Sequence, residues 1–272
     1  MAINLIFLGI DTYMAHNISK TIVPYEWIPI LFGPTGGVLL LFAGWIALKN
    51  RPLATGLATL VLLVSAAVGL LGAYFHFMRA ILPSGPAGQR VTIDLLVWAP
   101  PVLGPLMFTV IGILGLSAAW AEIPPDSGIL VLPGERKLQL PYPKTRAYFF
   151  IIGIASLATV ISSVLDHSRL RFDNPWLWLP TAVGVFGTVV AVTLGAIETP
   201  TRGDLFTYFA AMVLMLATGL VGALLHTRSD LTASGTIVIE RFLSGAPILA
   251  PLLFCNVGLL GLLVLTDPRE QS

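Results

Sequence analysis

The chain has 272 residues, of which 56% are hydrophobic and only 11% charged, and its formal net charge is +1. Soluble domains carry roughly 25% charged residues, so this composition points to an integral membrane protein and excludes a freestanding soluble catalytic domain. The near-neutral balance without Lys/Arg clusters excludes nucleic acid as a partner, and a single cysteine, Cys255, excludes an intrachain disulfide.

In chain order, the apolar runs predict helices over 3–16, 27–48, 54–77, 96–120, 147–166, 176–196, 205–226 and 243–265. Runs of about twenty residues cross about 30 Å of hydrocarbon at 1.5 Å per residue. The first run is shorter and carries Asp11. It therefore either tilts across the bilayer or lies partly in the interface, which leaves seven spans in place of eight. The opening stretch has neither a basic region nor a small-residue cleavage site, so it does not read as a signal peptide. After the first run, no Asp, Glu, Lys or Arg falls within the apolar body of a span, as the cost of an unpaired charge in lipid requires. Between the fourth and fifth runs lies AEIPPDSGILVLPGERKLQLPYPKTR, where ILVL and KLQL flank the turn signal PGER. This segment reads as a small hairpin or an ordinary surface loop.

The four histidines fall at related positions. Sixty residues separate His16 from His76, fifty-nine separate His167 from His226, and the two pairs are offset by 151 and 150. Equal offsets mark an internal repeat. Four residues before each histidine stand Thr12, Gly72, Ser163 and Gly222, and seven before stand Gly9, Gly69, Val160 and Gly219. Such positions share one helical face, so three of the four helices offer a small-residue stripe leading to the imidazole. The return helices open with LFGPTGG, VLGPLMF, AVGVFGT and ILAPLLF. Eleven residues after Gly33, Gly104, Gly184 and Ala250 come Gly44, Gly115, Gly195 and Gly261.

The predicted fold is therefore an all-α integral membrane bundle of four repeated helical hairpins in two pseudo-symmetric halves. Residues 1–120 form the first half, 121–146 an extramembrane linker, and 147–272 the second half. An even number of crossings per unit makes the repeats parallel and places all four histidines on one membrane face. Lys/Arg counts on the two sides are nearly equal. The linker cations Arg136, Lys137, Lys144 and Arg146 lean toward a cytoplasmic linker and an outward histidine face.

Neutral imidazoles from opposing helices can ligate a haem iron, and small residues one and two turns away let a flat macrocycle approach the backbone. On that reading haem b is held by His76 with His226, and by His16 with His167, over the glycines Gly69, Gly72, Gly219 and Gly222. Arg79 and Arg228 are placed to meet propionates. The structural alternative is that each histidine caps a helix C-terminus and the glycines pack helices. The loop carboxylates Glu26, Asp94, Asp173 and Glu240 follow the histidines at unequal distances, so no shared His/carboxylate metal site is expected beyond haem iron ligands. Phosphate-loop, zinc and Ser/His/Asp signatures are absent, so the chain is not expected to be catalytic alone.

A histidine, a polar loop and then GAPILAPLLFCNVGLLGLL resembles a motif of uncharacterised bacterial repeated-hairpin multi-pass membrane proteins, some of which accompany redox enzymes. The resemblance covers the repeated hairpins and implies a membrane subunit in a redox setting, with no catalytic residue assigned. The expected function is thus an integral anchor or electron-transfer subunit of a larger redox assembly in the bacterial inner membrane, with lipid and other protein subunits as partners. A transporter or facilitator, or a structural scaffold without cofactor, is the alternative. Against ion-coupled transport, the helix interiors lack midplane charges.

Overall fold

The computed structural model describes residues 1–17, 22–232 and 249–266. Nine α-helices are described: α1 (Ala2–Asn17), α2 (Trp27–Ala47), α3 (Arg51–Ala80), α4 (Ile93–Trp98), α5 (Leu106–Ala119), α6 (Lys144–Ser168), α7 (Trp178–Ala196), α8 (Arg202–Thr232) and α9 (Leu252–Leu263). Among the described residues, five helices are long and apolar enough to cross a membrane: Pro24–Ala47, Arg51–Ala80, Lys144–Ser168, Pro175–Ala196 and Arg202–Leu231. Large apolar side chains such as Leu60, Phe206 and Leu224 face outward from these helices. A bundle that is greasy on its outside as well as its inside is built for lipid.

The first predicted span is as short as expected, and two others differ from what is observed. The first is a helix of 16 residues, about 24 Å long, and falls short of the hydrocarbon thickness. The fourth, expected as one helix over 96–120, is broken: α4 has 6 residues, α5 has 14, and Ala99-Pro100-Pro101 lies between them. Proline supplies no N–H, and it drives the preceding residue out of the helical region; Ala99 is extended, with φ −74° and ψ 168°. The eighth, expected over 243–265, appears as α9 and a following 3-10 turn; its start, 243–248, lies outside the described residues.

Consecutive helices pack as pairs, α1 on α2, α3 on α5, α6 on α7 and α8 on α9, with α2 also against α3 and α7 against α8. The core runs through both halves. Leu5, Ile111, Leu114, Ile152, Tyr208, Met212 and Leu260 are all fully buried. Short α5 lies deep in the bundle, touching α1 and α6 as well as α3.

Buried hydroxyls tie neighbouring helices together. Ser65 Oγ donates to the Phe108 carbonyl oxygen (2.7 Å) and Ser156 Oγ to that of Gly184 (3.0 Å). Tyr148 and Tyr208 donate to the carbonyl oxygens of Leu260 (2.9 Å) and Gly261 (3.0 Å). Each such bond removes a polar group that lipid cannot satisfy.

The chain is all-α in class, and of the two readings of the linker the small hairpin is observed. Strands β1 (Ala121–Glu122), β2 (Ile129–Val131) and β3 (Lys137–Gln139) form an antiparallel sheet in the order β1-β2-β3, with Leu130 opposite Leu138. The PGER turn reverses the chain through Gly134 at φ +75°, a left-handed value that glycine adopts without steric cost. Glu122 anchors the segment: its Oε1 accepts from Gly128 N (2.6 Å) and Lys144 N (3.0 Å). The segment ends where α6 starts, at Lys144.

Candidate functional site

The histidine helices end where α1, α3 and the loop after α4 converge. His16 occupies the last turn of α1 and His76 the last turns of α3, and their ring centroids stand 5.9 Å apart at an interplanar angle of 59°. Both rings are held through Nδ1. His16 Nδ1–H donates to the Thr12 carbonyl oxygen (2.8 Å), and His76 Nδ1–H to that of Pro101 (3.0 Å). A carbonyl can only accept, so Nδ1 is the donor in each ring.

Around this pair lies a cavity of about 130 Å³. Its polar edge includes Asp11, Glu26 and Arg79, and its walls include Val68, Leu71, Phe75, Phe108 and Leu253. Glu26 is 7% exposed; its Oε2 accepts from Val23 N (3.0 Å), and its Oε1 lies 3.7 Å from Arg79 Nη1. Tyr25 packs on Phe75 with centroids 4.9 Å apart.

The second half carries a related cluster. His167 Nδ1 and Ser163 Oγ share a hydrogen bond of 3.3 Å, and His226 lies within electrostatic reach of both His167 and Asp166. Asp166 pairs with Arg169 at 3.7 Å. Phe172 stacks on Trp178 and meets His167 edge-on.

The rings of His16 and His76, both in the first half, stand side by side, and His167 and His226, both in the second half, interact electrostatically.

The glycines are also used differently. A Cβ placed on Gly72 would stand 2.8 Å from Pro105 Cβ, and one on Gly222 would stand 2.8 Å from Pro251 Cβ. On Gly69 it would meet Pro105 O at 2.8 Å, and on Gly219 Pro251 O at 2.8 Å. The face expected to carry a macrocycle is filled by the starts of α5 and α9. Such near-contact of backbones is the ordinary use of small residues between membrane helices.

Of the glycines expected at equivalent helix contacts, Gly115, Gly195 and Gly261 each face a neighbour, but Gly44 has nothing within 4 Å. Arg79 is engaged by Glu26. Arg228 lies on α8, two residues after His226.

Sequence reasoning missed two residues of the cavity. Asp11 reads in the sequence only as a charge that weakens the first span; the signal that could have placed it is its position five residues before His16 in the same apolar helix. Glu26 was weighed only by its distance from His16, whereas its place before α2 folds it back over Val23. Among the described residues, no group of three or more His, Cys, Asp or Glu side chains is arranged to hold a metal ion. A second, wider cavity of about 830 Å³ opens at the linker end, between the sheet and the ends of α3, α5 and α6, with Arg51, Trp120, Glu122, Lys144 and Tyr148 on its lining. Comparison of the chain with protein-family models, curated proteins and solved structures gives no match.

Proposed function

We propose that this chain is the integral membrane subunit of a larger redox assembly in a bacterial inner membrane. On this reading it consists of four repeated hairpins crossing the bilayer in two related halves, with the histidine-bearing ends gathered on one face as an anchor or electron-transfer surface. The observation that carries the reading is the recurrence of two histidines per half, with the rings of His16 and His76 5.9 Å apart and an electrostatic interaction between His167 and His226. The repeat itself is supported by the matched contacts of Gly72 with Pro105 and Gly222 with Pro251, and by Gly112 and Gly258. A Cβ on Gly112 would meet Leu62 O at 2.6 Å, and one on Gly258 would meet Met212 O at 2.6 Å.

Haem b is a second reading of the same face. Two imidazoles that each bond an ion at about 2 Å have centroids roughly 6 Å apart, close to the separation of His16 and His76. The filled glycine faces count against a macrocycle lying over Gly69 and Gly72 or over Gly219 and Gly222.

The test is purification in mild detergent followed by native mass spectrometry and visible absorption. Co-purification of a redox-active subunit is expected, and a Soret band with reduced α and β bands would add haem. A chain that runs alone with a featureless spectrum overturns the redox reading and leaves a facilitator or a scaffold.

A further inference from the structure

We propose that the cavity between α1, α2 and α3 binds the reduced, dihydroxylated head group of a lipid-soluble quinol. This rests on the redox reading but not on haem, which would compete for the same imidazoles.

Size, wall chemistry and polarity all point to this ligand. A volume of about 130 Å³ lies below the roughly 300–1,000 Å³ of sites that enclose drug-sized molecules. It accommodates one substituted ring rather than a macrocycle. The lining runs from His76 inward past Phe75 and Leu71 to Phe108 and Leu253, so the occupant is amphiphilic, with its polar end at the helix termini and its apolar remainder among aliphatic and aromatic walls.

Polarity selects the oxidation state. His76 commits its N–H to the Pro101 carbonyl, so its Nε2 is an acceptor. Asp11 and Glu26 bring acceptors too, and the lining's donors include Tyr25 and Arg79, the latter 3.7 Å from Glu26. An oxidised quinone or a fatty acid carboxylate brings only acceptors, which can use Tyr25 and Arg79 but leave His76 Nε2, Asp11 and Glu26 with no donor from the ligand. A quinol brings two O–H donors on a flat ring that can lie against Phe75. A site built to accept from a hydroxyl rejects the analogue lacking it, because its buried polar groups are then left unpaired.

The experiment uses the full chain in lipid nanodiscs. Ubiquinol-1, kept reduced under argon, and ubiquinone-1 are each equilibrated with the protein, and bound ligand is quantified by chromatography. Saturable binding of the quinol is expected, at least about tenfold tighter than that of the quinone. His76→Ala should weaken quinol binding about tenfold or more. Leu71→Trp, which fills the cavity and leaves every polar group in place, should abolish it. Gly44→Leu, facing open space, should leave it unchanged.

Equal affinity for the two oxidation states, no saturable binding, undiminished binding in Leu71→Trp, or displacement of quinol by dodecylamine at lower concentration than by excess quinol overturns the proposal. If His76→Ala does not fold, the oxidation-state comparison and Leu71→Trp decide. A redox subunit that co-purifies while quinol fails to bind removes this proposal alone. Quinol bound to a chain that has no redox partner removes the redox-subunit reading instead.

Discussion

Arg169 donates from Nε to the Val97 carbonyl oxygen at 2.7 Å, joining the end of α6 in one half of the molecule to α4 in the other. Its Nη2 reaches the Ala99 carbonyl oxygen (3.4 Å), and its guanidinium lies 5.8 Å from the Trp98 ring centroid. One side chain thus satisfies carbonyls set free by the break before Pro100. Arg169→Ala should lower stability by about 1–2 kcal/mol, the value of charge-assisted hydrogen bonds discounted for partial exposure. Arg169→Lys should recover less than half, because a point charge cannot span two carbonyls. Thermal melting in detergent measures both, and an unchanged midpoint in Arg169→Ala would show that the halves do not depend on this tie.

Glycine substitutions should separate into two classes. Gly72→Leu and Gly222→Leu should each cost more than about 2 kcal/mol and depress the folded yield, since even the first added carbon would lie 2.8 Å from a proline carbon. Gly44→Leu should be neutral or stabilising by up to about 1 kcal/mol, since it faces open space and leucine favours the helix. Size-exclusion yield and melting midpoint across the three variants check this.

Histidine pairing is testable by double-mutant cycles. His16→Ala and His76→Ala should couple by at least about 0.5 kcal/mol, as neighbours do, while His76→Ala and His226→Ala should add within about 0.3–0.5 kcal/mol. The reverse pattern would restore the pairing across halves.

Glu122→Ala should loosen the linker sheet. It removes the acceptor of Gly128 N and Lys144 N and strands both donors, at about 1–3 kcal/mol where they are shielded from water. Limited trypsin digestion should then cut faster at Arg136 and Lys137, which border and begin β3, while the membrane helices stay intact. Equal cleavage rates in parent and variant would place the anchor elsewhere.

A Gly, Pro or His at a repeated position marks a helix end or a close approach, and that much can be read along a single chain. The long apolar helices and the turn at PGER were legible for this reason. Which neighbour fills a small-residue face is a three-dimensional matter. Gly44 and Gly115 follow the same spacing rule, yet one faces open space and the other faces Leu62. The contact between His16 and His76 was not legible for a related cause. His16 and His76, sixty residues apart, are brought together by the packing of α1, α2, α3 and α5. The break at Pro100-Pro101 was visible as a dipeptide, but its effect on the span was not weighed against the apolar run around it.

The shortness of α5 has an electrical consequence. Its first turn, at Phe108, borders the histidine cavity, and its last turns, from Leu114 to Trp120, border the wide cavity at the linker end. If water enters both recesses, the insulating layer between the two aqueous phases narrows to the stretch from Phe108 to Leu114, about 9 Å along the helix axis, in place of about 30 Å of hydrocarbon. A membrane voltage then falls across that thin septum, and the field there is about threefold stronger than in the surrounding bilayer. Any charge that moves beside Ile111 would traverse most of the transmembrane potential in a few ångströms.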